Sequence, residues 1–148
     1  MRKTDNKAES AFDPVMEGCK YTIGIPVTSA ENRTLPVMLA SLKEDLRAFP
    51  PDGTYEILIC LNRYDDLTLD IAKRLKVSTP ALRYIRSEPG LIKAQRMIIE
   101  KSRGSSDYVL FYNSDIKIIQ GTTRTMIDLM DSERDVHAAS GEQVAQRI

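Results

Sequence analysis

Only two cysteines, Cys19 and Cys60, and one histidine, His137, occur among 148 residues. With no C-x-x-C spacing and no cysteine/histidine cluster, neither a disulfide framework nor a structural zinc site is indicated, and a reducing, cytoplasmic setting is the expectation. Surplus charge is missing too. Twenty-one basic residues balance twenty-one acidic ones, which leaves no global field to favour nucleic acid or an anionic membrane surface. No apolar run approaches the roughly 18 residues of a membrane span, and the N-terminal "MRKTDNKAESAFDPVMEGCK" lacks the apolar core of a signal peptide. Nor is there a G-x-G-x-x-G after the first apolar run, or a G-x-x-x-x-G-K-[ST], so the usual phosphate cradles of dinucleotide and P-loop proteins are absent.

What is there reads as one compact domain preceded by a tail. The composition, 42% hydrophobic and 28% charged, supports a real core. Residues 1–19 are polar and without clear period, as a flexible tail would be, and order is expected from residue 20 to residue 148. "YTIGIPV" (21–27) is a short apolar run that predicts a strand. Leu35, Met38, Leu39, Leu42, Leu46 and Phe49 recur at helical steps, with Pro36 in the first turn, where proline is tolerated. "YEILICL" (55–61) predicts a second strand, followed by a helix that Asp65 or Asp66 can cap. "LRYIR" (82–86), a helix over 90–104, "DYVLFYN" (107–113), a helix over "TTRTMIDLMD" and a last strand "VHAAS" continue the alternation.

Strands alternating with helices imply βαβ units and right-handed crossovers. The expected fold is α/β: a three-layer α/β/α sandwich around a mainly parallel, Rossmann-like sheet of about five strands. Ligands of such sheets bind outside the carboxyl ends of the strands, near the point where strand order reverses. Polar residues gather at those ends here: Thr28 to Glu31, Asn62 to Asp66, and the triplet Asn113, Ser114 and Asp115. A nucleotide in that crevice needs another way to neutralise its diphosphate, and a divalent metal held by one or two carboxylates is the common alternative, because magnesium and manganese favour oxygen ligands. Asp115 is the natural protein ligand, although a polar triplet after a buried strand also serves as a plain turn.

The succession "IGIPVTSAENRTLPVMLASL", "EILICLNRYDDLTLDIAKRL", "IRSEPGLIKAQR" and "DYVLFYNSD" resembles the nucleotide-sugar-binding half of glycosyltransferase family 2, with its GT-A fold, over residues 21–141. The resemblance implies that the backbone around Pro26, Val27 and Glu31 lies beside the nucleoside, and that Asn62 and Asp66 contact base and ribose. It gives Lys93 and Arg96 to the base or the diphosphate. Asn113 takes the place of the first aspartate of the family's D-x-D, Ser114 the middle position, and Asp115 keeps the last aspartate, which in the family reaches the metal, Mn2+ or Mg2+. An amide can still hydrogen-bond a ribose hydroxyl but brings no charge, so metal binding through Asp115 alone is expected to be weaker. The implied donor is a UDP- or GDP-sugar.

Plainer readings stand beside these. Asn62 and Asp66 can cap the following helix, and Lys93 and Arg96 fit a solvated helix face. His137 reads as structural, and Tyr108, Phe111, Tyr112, Met126 and Met130 as core. The family's catalytic base and acceptor pocket resemble features that lie after the fifth strand, where this chain has Glu142 as its only carboxylate and ends at "GEQVAQRI"; the C-terminal acceptor half is therefore expected to be missing. Three hypotheses follow: a metal-dependent, inverting glycosyltransferase or a fragment of one; a non-catalytic nucleotide-sugar binding module, as a homo-oligomer or completed by a partner chain; or a likeness of fold alone.

Overall fold

A computed structural model describes residues 21–48, 55–102 and 107–132. Four strands, β1 (Tyr21–Val27), β2 (Tyr55–Leu61), β3 (Leu82–Arg86) and β4 (Tyr108–Phe111), alternate with helices α1 (Leu35–Asp45), α2 (Asp66–Ser78), α3 (Leu91–Lys101) and α4 (Thr122–Ser132). The strands form one sheet in the order β3-β2-β1-β4, and every pairing is parallel. The expected α/β architecture is therefore present, with four strands among the described residues. The fifth strand over 136–140, with His137, Glu142 and the N-terminal tail, falls outside them.

β1 and β2 are buried along almost their whole length, as strands covered on both faces must be. On one face lies the larger core. Ile23, Ile25, Val27, Ile57, Ile59 and Leu61 meet Leu35, Met38, Leu39 and Leu42 of α1, Ala72 of α2 and Ile127 of α4. The α1 set recurs at three- and four-residue steps, which aims one stripe at the sheet. The other face carries Leu58, Cys60 and Ile85 against Ala94 and Ile98 of α3. That helix comes close because Gly24 offers no side chain: a Cβ there would stand 2.6 Å from Ile98 Cγ2. Deeper on this face, Glu56 and Arg83 form a buried pair, Nε to Oε2 at 2.7 Å and Nη2 to Oε1 at 3.1 Å. Thr22 Oγ1 donates to the same carboxylate at 3.0 Å, and Arg83 also bonds the Lys101 carbonyl at the end of α3.

The chain steps from β1 to β2 to β3 with α1 and α2 on one face, then crosses under α3 to place β4 on the far side of β1. Strand order thus reverses between β1 and β4. A proline marks that point. The Tyr112 amide bonds the Gly24 carbonyl at 3.0 Å, and in a parallel ladder the next rung would run from the amide of residue 26 to Tyr112. Pro26 has no hydrogen to give, so the two strands part there. β4 accordingly ends at Phe111, two residues short of the expected 107–113, and Phe111 remains 37% exposed instead of packing in the core.

Candidate functional site

Where β1 and β4 part, a cleft of about 550 Å³ opens, lined by Pro26, Thr28, Glu31, Asn62, Arg63, Gly90, Leu91, Asn113, Ser114 and Asp115. Its walls come from the carboxyl ends of three strands and from the start of α3. The turn after β1 is a short 3-10 helix, Ser29–Glu31, closed by a capping box in which the Glu31 carboxylate accepts from the Thr28 backbone amide at 2.9 Å and from the Thr28 hydroxyl. Glu31 therefore faces the cleft with its charge already hydrogen-bonded.

Asn62 is buried, and its Oδ1 accepts from the Gly90 amide at 2.8 Å. It does not cap α2; through this bond it ties the end of β2 to the start of α3 while still lining the cleft. Gly90 can take this position because its φ of 128° is open to glycine. Capping of α2 falls to Asp65, which accepts from the Thr68 amide at 2.9 Å. Those bonds, the Thr68 backbone first, hold its carboxyl below the usual aspartate range. Two links pin the β1 and β2 turns together: the Ser29 amide to the Arg63 carbonyl at 3.1 Å, and Asn32 Nδ2 to Asp65 at 3.1 Å.

The β4 side is moored to α1. Ser41 Oγ accepts from the Ile118 amide at 2.8 Å, while the buried Asp45 carboxylate accepts from Gly121 at 2.5 Å and Thr123 at 3.0 Å. Between these anchors and the strand, Ser114 is buried, while Asn113 and Asp115 are exposed on the cleft. The lining offers carboxylate, carboxamide and hydroxyl oxygens. That set suits magnesium or manganese, which take one or two protein carboxylates and fill their remaining positions with water and phosphate oxygens. Among the described residues no three His, Cys, Asp or Glu side chains cluster to hold an ion by themselves.

Of the residues singled out from the sequence, Pro26, Glu31, Asn62, Asn113, Ser114 and Asp115 line this cleft. Val27 is fully buried and does not line the cleft; its carbonyl accepts from the Asn62 amide at 2.8 Å. Asp66, Lys93 and Arg96 are exposed and lie outside the lining, and Lys93 pairs with Glu88 at 3.0 Å. Arg63, Gly90 and Leu91 were not singled out. Gly90 opened the helix expected over 90–104, but nothing in the sequence set Arg63 apart.

Two other features are not part of this site. Cys60 sits under α3, where burial pushes its thiol up to about 11 despite a hydrogen bond with Ser87, so it is no nucleophile. An apolar groove of about 520 Å³ between α1 and residues 117–120 is lined chiefly by Pro36, Val37, Ala40 and Ile118; it lies away from the strand ends. Among the described residues no helix is long and apolar enough to cross a membrane.

Comparison with known proteins adds the lineage. Residues 22–144 match the model of the family described as Glycosyl transferase family 2. No curated protein matches the sequence. Among solved structures, the crystal structure of S. aureus TarS 1-349 superposes with a TM-score of 0.65 at 20% identity, covering 86% of this chain and 38% of that one. The crystal structure of S. aureus TarS gives 0.56 at 19% identity, covering 74% and 20%. The chain thus spans well under half of either structure, and at these identities the likeness is one of fold.

Proposed function

The chain belongs to glycosyl transferase family 2, and on that premise we propose that its cleft receives the nucleoside diphosphate of a sugar donor, a UDP- or GDP-sugar, for glycosyl transfer to an acceptor. One observation carries the reading: the polar ends of β1, β2 and β4 meet in a single cleft at the point where strand order reverses, the place where open α/β sheets bind ligands. Asp115 holds the divalent ion in this reading, with water and the donor's phosphates completing its shell. When bound, such an ion neutralises the diphosphate that leaves.

The remaining roles belong to the chain itself. Asn113 offers an amide to a ribose hydroxyl. The backbone at Pro26 and the Thr28–Glu31 turn form the floor beside the nucleoside, and Asn62 shapes the opposite wall by fixing Gly90. Ser114, being buried, sets the spacing of its two neighbours. Asp66, Lys93 and Arg96 lie outside the lining and take no part in this reading. A reducing, cytoplasmic setting suits the free thiol of Cys60.

A second reading, donor binding without catalysis, is favoured by the lining: among the described residues its only carboxylates are Glu31, already bonded to Thr28, and Asp115, taken up by the ion in this reading. Titration calorimetry with UDP and GDP, with and without manganese, tests the donor site on the wild type and Asp115→Ala. Manganese-dependent binding lost in the variant is the expected result. A folded wild type that binds neither nucleotide would sink the proposal. Donor turnover by the chain would then decide between the two readings.

A further inference from the structure

Among the described residues, Arg63 is the only one other than glycine in the left-handed backbone region, with φ at 48°. Glycine or asparagine would sit there with less crowding. Residues held in such conformations gather at functional sites, where their surroundings over-determine them; here the Ser29 amide clamps the Arg63 carbonyl at 3.1 Å. The side chain is exposed, lines the cleft, and makes no hydrogen bond or ion pair with any described residue. Among the described residues it is also the only cation in the lining, which otherwise carries the carboxylates of Glu31 and Asp115. Lys93 and Arg96, the cations the sequence put forward for the diphosphate, lie outside.

Resting on the donor reading above, we propose that Arg63 is the residue that meets the donor's diphosphate, sharing its charge with the ion at Asp115. A guanidinium has donors only, and its planar fork matches two phosphate oxygens at once. A base or a neutral sugar presents no charge to answer it. β2 and β4 flank β1 on opposite sides, so Arg63 and Asp115 line the cleft from opposite walls. A diphosphate lying between them can meet both the guanidinium and the ion. An ordinary arginine–carboxylate pair would have closed the cleft; the turn instead keeps this cation unpaired and turned to the ligand space.

Arg63→Gly is the informative variant, because glycine keeps the left-handed turn while removing the exposed side chain and its guanidinium, so the fold is retained. Affinities of the full chain for manganese-UDP and manganese-GDP are measured by calorimetry, and that for manganese-pyrophosphate by competition against UDP. All three are expected to weaken at least tenfold in Arg63→Gly, to recover in part in Arg63→Lys, and to hold in Arg96→Ala. Arg63→Gly binding within twofold of wild type, while Asp115→Ala binds nothing, overturns this proposal and leaves the donor reading standing. A loss with UDP and GDP but not with pyrophosphate puts Arg63 on the nucleoside and overturns it as well. A folded wild type that binds no nucleotide overturns both.

Discussion

Removing one partner of the Glu56–Arg83 pair should be among the most damaging single changes available to this protein. The Glu56 side chain is fully buried and that of Arg83 is 4% exposed. In Arg83→Met the carboxylate would keep one donor, Thr22 at 3.0 Å, and lose both guanidinium bonds. Leaving such a charge uncompensated costs about 3–5 kcal/mol, a large share of the roughly 5–15 kcal/mol that holds a domain of this kind. The Lys101 carbonyl loses its arginine as well, so the end of α3 should loosen first. Urea denaturation followed by circular dichroism measures the loss directly, and the melting temperature should fall by roughly 6–20 °C. Glu56→Leu with Arg83→Met together should recover most of it, because two apolar groups leave no charge behind. A single variant that loses less than about 1 kcal/mol would refute the reasoning, since that is the range of a solvated surface pair. A double variant no better than the single would refute the claim that the loss comes from the orphaned charge.

Two further outcomes follow from packing and capping. Gly24→Ala should destabilise by about 1–3 kcal/mol, because its Cβ would meet Ile98 Cγ2 at 2.6 Å and Phe111 Cδ1 at 3.3 Å; thermal melting checks this, and Gly24→Ala with Ile98→Leu, which lacks the Cγ2 branch, should restore part of the loss. Asp65 has its carboxyl lowered by the Thr68 backbone amide first. A carboxyl lowered on folding contributes stability that is present above its unfolded value, about 3.9, and is lost as pH falls through the folded one. Melting curves between neutral and acid pH should therefore show wild type losing its advantage over Asp65→Asn as the solution is acidified, and a constant gap between the two would contradict the assignment.

The helices and strands were legible because their signals were local. The α1 stripe of Leu35, Met38, Leu39 and Leu42 and the run "YEILICL" announce their elements without reference to anything distant. The convergence of the strand ends was also legible, since parallel topology dictates it. What could not be read was set by contacts across the chain. β4 looked longer than it is because its length is decided by Pro26, more than eighty residues earlier. Asn62 looked like a cap or a ligand contact, yet its partner is Gly90 on another element. Arg63 carried no signal at all: its backbone conformation is one that sequence normally announces with glycine or asparagine, and the Ser29 amide that bonds its carbonyl lies on another turn. Phe111 followed the apolar pattern of its strand, but no described neighbour covers it fully.

Pro26 has one more consequence. An opening kept by side-chain packing can collapse when empty, and a ligand must then spend affinity on prising it apart. Here the separation of β1 and β4 is written into covalent structure, since a missing hydrogen cannot be restored by any rearrangement of neighbours. On the donor reading, a ligand arriving there meets a gap that no ladder bond has to be broken to open, which leaves more of its binding energy for recognition.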